Sequence, residues 1–256
     1  MIPVDVIAWN ALCALNGTFL SSRVRVRTEG IQHVPLSGPV IIASRHYHHL
    51  YDGVALLSAV PRPIHIIVGL DWVHSTQLRG LMEWLCHLVQ WPVVLRRDRA
   101  DLFAGSVSSV SAYRPQEAHR YLYEAIKLTA SLLSQGRVIL IFPEGYPTID
   151  PFYTPKVSGT EILPFREGFA RFVLLTQRHL AQPVPIVPCG LEYRHEQRRW
   201  SIVVRFGPPL TLQPDGQLAP FIQEVEAAVR RLSGIRMTDT VAATAASLQP
   251  ASVLVG

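Results

Sequence analysis

The sequence predicts an α/β fold with a mixed, largely parallel central sheet flanked by helices, and with an amphipathic helix at its N-terminus. Three observations carry this reading. Short apolar runs alternate with segments of helical periodicity along most of the chain. Val40-Ile41-Ile42-Ala43 and Val138-Ile139-Leu140-Ile141 are unbroken apolar runs, the pattern of strands buried on both faces. Each run leads straight into residues that carry chemistry, and open α/β sheets place their chemistry at the C-terminal ends of strands.

The elements follow in order. Residues 2–20 are rich in Ile, Val, Trp, Leu and Phe but are interrupted by Asp5, Asn10 and Asn16, and Arg23, Arg25 and Arg27 follow. This suits a helix lying in a membrane interface, or one packed on the domain's own core, better than one crossing a bilayer. Arg23-Val24-Arg25-Val26-Arg27 alternates with period two and reads as a strand, its arginines on a solvated face or against lipid phosphate. Further strands are predicted over Val40 to Ala43, Ile64 to Val68, Trp91 to Leu95, Arg137 to Phe142, Val184 to Leu191 and Trp200 to Phe206. Helices are predicted over Asp52 to Val60, Thr76 to Val89, Gln116 to Ser134, Glu167 to Leu180 and Pro220 to Leu232. The second of these carries Leu78, Leu81, Leu85 and Leu88 on one side. Gly136 closes the third in the left-handed cap manner. Residues 98–114 form a polar loop, and residues 146–163 form a Pro- and aromatic-containing loop read as a lid. Residues 237–256, rich in Ala, Thr and Ser, read as a disordered tail. The expected organisation is therefore an interfacial helix over 1–22, one domain over 23–236 and a tail over 237–256.

Composition narrows the function. The chain of 256 residues is 48% hydrophobic and only 17% charged, with mean hydropathy +0.20. Soluble domains average about 25% charged, so apolar surface remains after a core is built. The net charge is +5. Lys127 and Lys156 are the only lysines among the 24 cationic side chains, so 22 are arginines. Arginine grips phosphate through a planar fork, which suits anionic lipid surfaces or phosphorylated substrates. No RNP-like run or helix-turn-helix spacing points to nucleic acid. Cys13, Cys86 and Cys189 stand apart in apolar surroundings and read as buried, reduced thiols. No run reaches the roughly 18 apolar residues of a membrane span, and no basic region precedes the N-terminal apolar run as in a signal peptide. A peripheral protein at the cytoplasmic face of a membrane is expected.

Candidate chemistry sits in Ser44-Arg45-His46-Tyr47-His48-His49-Leu50-Tyr51-Asp52-Gly53. Histidine titrates near neutral pH, and a neighbouring aspartate fixes its tautomer and stabilises its protonated form. His46 and His48 are both candidates for the partner of Asp52; His49 reads as structural or substrate-lining. A binuclear metal site would need an Asp where Leu50 stands, so no metal is assigned. The second candidate stretch, Phe142-Pro143-Glu144-Gly145, closes the strand that starts at Arg137.

Taken together, these stretches resemble the glycerolipid acyltransferase family, whose best-known members are 1-acyl-glycerol-3-phosphate acyltransferases. Four family blocks occur in order over roughly residues 20–210. The first, normally Asn-His, four residues and Asp, reads Ser44-Arg45-His46 through Asp52. The second is a hydrophobic strand ending in arginine, here Pro92-Val93-Val94-Leu95-Arg96-Arg97. The third, Phe-Pro-Glu-Gly, is matched in full by Phe142 to Gly145. The fourth is Val184-Pro185-Ile186-Val187-Pro188. Pro164-Phe165-Arg166-Glu167-Gly168 resembles a further Phe-Lys-x-Gly stretch. This chain departs from the pattern in having five residues between His46 and Asp52. Alignment from the strand makes His46 the match; His48 is the alternative base.

The resemblance implies transfer of a fatty acyl chain from acyl-CoA or an acyl carrier protein to the hydroxyl of a lysophospholipid, above all 1-acyl-glycerol-3-phosphate, in phospholipid synthesis. Such a transfer needs a general base for an alcohol whose own pKa is far too high and donors for a tetrahedral oxyanion. His46 fills the first role with Asp52 orienting it, and backbone N–H groups near Gly145 are candidates for the second. Arg97 or Arg96, with Arg166 as a further candidate, is implied to meet the acceptor's phosphate. Glu144, flanked by Phe142, Pro143 and Gly145, is implied to bind or position the acceptor. No bound cofactor is implied. A different lipid or glycosylated acceptor, a non-catalytic lipid-binding relative and a metallohydrolase are the competing readings.

Overall fold

The structure, a computed structural model, describes residues 23–96, 111–151, 153–178, 180, 183–196, 199–213 and 216–235, with Ala11 and Ala14. Apart from Ala11 and Ala14, the interfacial helix expected over 1–22 lies outside the described residues, as do the tail expected over 237–256, Cys13, Arg97 and the loop up to residue 110.

The chain runs β1 (Val24–Glu29), β2 (Val40–Ser44), α1 (Tyr51–Ala59), β3 (Ile64–Ile66), β4 (Val68–Gly69), α2 (Thr76–Leu88), β5 (Val93–Val94), α3 (Ala118–Ser134), β6 (Val138–Ile141), α4 (Glu167–Gln177), β7 (Pro185–Glu196), β8 (Arg199–Phe206), β9 (Leu210–Thr211) and α5 (Leu218–Leu232). Among the described residues, seven strands form the main sheet in the order β1-β8-β7-β2-β6-β3, with β9 beside β7. The central strands are parallel: β2 pairs with β6 and with β7, and β3 pairs with β6. Among the described residues only the pairings of β7 with β8 and with β9 are antiparallel. The fold class is thus the expected mixed, mostly parallel α/β sheet.

Strand β2 shows why its sequence is wholly apolar. Val40 and Ile42 face one core, built with α1 and with Val138, Leu140 and Val187. Ile41 and Ala43 face the other, built with α3, α4 and α5. Both faces are covered, so period-two alternation disappears. Helix α3 ends in a Schellman motif: Gly136 adopts φ 73°, its N–H donates to Leu133 O at 2.9 Å and the Arg137 N–H donates to Leu132 O at 3.0 Å.

Three expectations change. The strand expected over Ile64 to Val68 divides at Ile67, because Val68 leaves β6 and its N–H donates to Pro92 O instead, founding a small parallel sheet of β4 and β5. The strand expected to stop at Leu191 runs on to Glu196, held by its hairpin with β8. On α2 the packed face is Leu78, Met82 and Cys86, and Leu81, Trp84 and Leu85 lie exposed. Arg79 ties this helix to Glu117, the residue before α3, at 2.8 Å, pairs with Glu83 of its own helix at 3.0 Å and lies over the Tyr113 ring. Cys86 and Cys189 are buried free thiols; burial raises both, Cys86 to about 11. Among the described residues no helix is long and apolar enough to cross a membrane.

The end of α5 sits directly on β7. A Cβ placed on Gly190 would collide with the backbone of Leu232 and Ser233. Overpacking of this kind costs about 1–3 kcal/mol. Gly190→Ala should lose stability by that amount in urea unfolding, and an unchanged midpoint would mean that α5 packs less closely than described.

Candidate active site

Topology brings the two candidate stretches together. Strands β2 and β6 are parallel neighbours in register, Ala43 beside Ile141, so their C-terminal ends lie side by side. The residues that follow each strand, His46 to Asp52 and Phe142 to Gly145, therefore share one edge of the sheet. Strand β7 flanks β2 on the other side, Cys189 beside Ser44, and continues past it.

At this edge the carboxylate of Asp52 is fully buried. It opens the first turn of α1, where the helix dipole favours a negative charge. His46 Nδ1 lies 2.8 Å from Asp52 Oδ2. A carboxylate accepts, so Nδ1 carries a proton, and in the neutral ring the lone pair is then on Nε2. The Tyr47 N–H donates to Oδ2 at 2.7 Å, the His48 N–H donates to both oxygens at 3.0 and 3.1 Å, and the Tyr193 hydroxyl donates to Oδ1 at 2.5 Å. Asp52 is closed over at 0% side-chain exposure, whereas the His46 ring reaches the surface at 16%. Its face stacks on Phe142, centroids 4.2 Å apart.

His48 is placed differently. Its Nδ1 accepts from the N–H groups of Leu50 at 3.2 Å and Tyr51 at 3.4 Å, covering the start of α1, which has no side-chain cap from Leu50. Burial, with His49 and His46 adding repulsion, lowers its pKa to about 4. Only its backbone meets Asp52. His49 Nδ1 lies 3.2 Å from Ile149 O. Among the described residues no group of three or more His, Cys, Asp and Glu side chains is arranged to hold a metal ion.

The Phe142–Gly145 stretch is a tight turn with Pro143 at its second position and the Gly145 N–H donating to Phe142 O at 3.0 Å. Gly145 takes φ 76°, where glycine carries no steric cost. Gly145's own N–H is thus used within the turn. Glu144 is fully buried: Oε1 accepts the His46 N–H at 2.7 Å and Oε2 accepts the Leu163 N–H at 3.0 Å. Lys156 Nζ lies 2.5 Å from Glu144 Oε2 and donates to His46 O at 2.6 Å. The two ends of this buried pair hold both backbone groups of His46.

The segment expected to be a lid is tied down. Ile149 donates to Tyr47 O at 2.7 Å and accepts from the His49 N–H at 3.1 Å, and Tyr146, Lys156 and Ile162 are buried. Arg45 is buried as well. It donates to Leu191 O at 2.9 Å and to Gly159 O at 2.6 Å, and burial lowers its pKa against the pull of Glu144 and Asp52.

Of the candidate phosphate ligands, Arg96 forms a forked ion pair with Asp71 at 2.7–3.1 Å and donates to Gly145 O at 2.5 Å. Its guanidinium lies 4.3 Å from the Tyr146 ring centroid, and that of Arg166 lies 5.3 Å from it. Two cations therefore gather over one buried tyrosine just past the turn. Asp71, Lys156 and Tyr193 escape sequence reasoning. Lys156 alone leaves a trace, as one of only two lysines in an arginine-rich chain.

Comparison with known proteins fits this geometry. The Acyltransferase family model matches residues 25–192, about two thirds of the chain, and the protein belongs to this family. All four sequence blocks fall within the match. In fold the chain is similar to the crystal structure of the 1-acyl-sn-glycerophosphate (LPA) acyltransferase PlsC from Thermotoga maritima, with a TM-score of 0.52 and 17% identity, over 87% of this chain and 77% of that one. No curated protein matches the sequence.

The Glu144–Lys156 pair yields a test. Removing one partner of a buried pair strands the other charge, at about 3–5 kcal/mol. Lys156→Met should lose stability on that scale in chemical denaturation. Stability equal to wild type would show that Glu144 is not held as an ion.

Proposed function

We propose that the protein transfers a fatty acyl chain from acyl-CoA or an acyl carrier protein to the hydroxyl of a lysophospholipid, with 1-acyl-glycerol-3-phosphate as the favoured acceptor. The observation that carries this is the His46–Asp52 pair at the end of β2, with Nδ1 bound to the carboxylate and Nε2 left to act, in a chain of the acyltransferase family.

In this reading the acceptor hydroxyl lies against His46 Nε2. As its oxygen attacks the thioester carbonyl, its proton passes to Nε2, and Asp52 stabilises the imidazolium. Collapse of the tetrahedral intermediate breaks the C–S bond, and the departing thiolate takes the proton from His46. No acyl-enzyme forms and no bound cofactor is called for. Phe142 stacks on the ring and limits its swing. Glu144 acts beneath the site, through the backbone of His46. For the acceptor's phosphate, Arg166 and Arg97 are the proposed ligands, with Arg96 shaping the turn through Gly145 while its charge is matched by Asp71.

An assay over lysolipids with both donors, run on wild type and variants, tests this. His46→Ala and Asp52→Ala should each lower kcat by at least about a hundredfold with folding retained by circular dichroism. His48→Ala should act mainly through stability. Wild-type turnover in His46→Ala, with loss in His48→Ala, would reverse the assignment.

A lysolipid acceptor is dissolved in the bilayer, so the site must work at its surface. We place the protein peripherally on the cytoplasmic face. Residues 2–20 with Arg23, Arg25 and Arg27 are the proposed anchor, since apolar insertion and attraction to anionic lipid reinforce each other. Deleting residues 1–20 should release the folded protein from anionic vesicles in co-sedimentation. It should also lower activity on vesicle-borne acceptor more than on detergent-dispersed acceptor. Full sedimentation of a folded truncation would move the anchor elsewhere.

A further inference from the structure

We propose that Tyr193 is a positioning residue for the acyl transfer: its hydroxyl, donated to Asp52 Oδ1, sets how strongly Asp52 holds the proton of His46. The proposal rests on His46 being the base. The two carboxylate oxygens are divided between different partners. Oδ2 takes His46 Nδ1–H and the Tyr47 N–H, Oδ1 takes the Tyr193 hydroxyl, and the His48 N–H is shared. At 2.5 Å the Tyr193 contact is at the short end for a hydroxyl on a carboxylate.

Tyr193 is held for this contact from three sides. It lies on β7 on the same face as Cys189 and Leu191, two residues apart each, packed in the core beneath α1. Its ring stacks on Tyr47 at 4.3 Å and meets the Trp200 ring edge-on at 5.7 Å. Burial raises the phenol well above its ordinary range, and the nearby Asp52 charge adds to this. The hydroxyl therefore stays protonated, a permanent donor.

The consequence has a definite sign. Each donor on the carboxylate withdraws negative charge from it. Without the Tyr193 hydroxyl, Asp52 keeps its three other donors and its place, but pulls harder on the His46 proton. Protonated His46 is then favoured, and the base is lost at higher pH. Other groups facing this pair are Arg45, Tyr47 and His48 from the loop, Glu144 from the turn, Lys156 from the following segment and Cys189 from β7. All are the same in wild type and variant, so their influence cancels in the comparison.

The experiment is a pH titration of the His46 ring by NMR in wild type and Tyr193→Phe, its signal assigned by loss in His46→Gln. It is paired with the kcat/KM profile for acyl transfer. Phenylalanine keeps the stacked ring and removes the donor alone. The His46 titration should move up by about half a pH unit, and the acidic limb of the profile should move with it. Installing 3-fluorotyrosine at position 193 makes a stronger donor of nearly the same shape and should move the titration down; it decides the matter if Tyr193→Phe does not fold. A titration that stays put in a folded variant, or that moves the same way in both, overturns the proposal. A titration that moves while the acidic limb does not upholds the Tyr193 tie and counts instead against His46 as the base.

Discussion

Asp52 imposes the constraint around which the site is organised. A carboxylate wholly withdrawn from water must be surrounded by donors, or its burial costs more than any packing can return. Here the ring of His46, two backbone amides and one hydroxyl supply those donors. To bring the amides of Tyr47 and His48 inward, the loop after β2 must curl tightly around the carboxylate. To bring the hydroxyl, β7 must run well beyond its last contact with β2. To seat the carboxylate itself, α1 must start at Tyr51, so that Asp52 lies in its first turn. Loop, strand and helix thus converge on one buried charge.

A second buried charge organises the layer below. Glu144 reaches the His46 amide from the turn after β6, and Lys156 reaches the His46 carbonyl from the segment beyond it. Arg96 then links the same turn, through Gly145 O, to Asp71 and the small sheet. The sequence blocks that look separate along the chain are therefore bonded to one another in series. Such buried ionic contacts contribute little net stability. What they supply is a fixed position for the His46 backbone, held at both its N–H and its carbonyl.

Much of this was legible in the sequence, and the boundary of legibility is physical. Apolar runs, glycine caps and the histidine-aspartate and Phe-Pro-Glu-Gly stretches depend on local chemistry, so strands, helix ends and the two stretches that meet at one sheet edge could be read from neighbours in the chain. Tyr193, Lys156 and Asp71 depend on contacts with Asp52, His46 and Arg96 across 141, 110 and 25 positions. Nothing beside Tyr193 marks it: a tyrosine in an alternating strand is ordinary, and its meaning comes only from what α1 places above it. The leucines of α2 misled for the related reason that helical periodicity names a face without naming the neighbour that covers it. Arg97 lies outside the described residues, so its expected role rests on resemblance alone.

The loop with five residues between His46 and Asp52 shows how a departure in spacing can still bring a histidine onto the aspartate. Three histidines compete there, and composition cannot rank them. Their ring nitrogens can. The Nδ1 atom of His48 accepts from the free amides at the start of α1, a task that requires a neutral ring, and burial keeps it neutral down to about 4. The Nδ1 atom of His49 meets a backbone carbonyl of the segment that crosses the loop. Only His46 has Nδ1 on a buried carboxylate while its ring edge still reaches the surface. With the start of α1 satisfied by His48 rather than by a serine or aspartate cap, Asp52 is left to serve His46. Between the two, the backbone amides of Tyr47 and His48 turn inward to Asp52, and His46 follows directly on the end of β2.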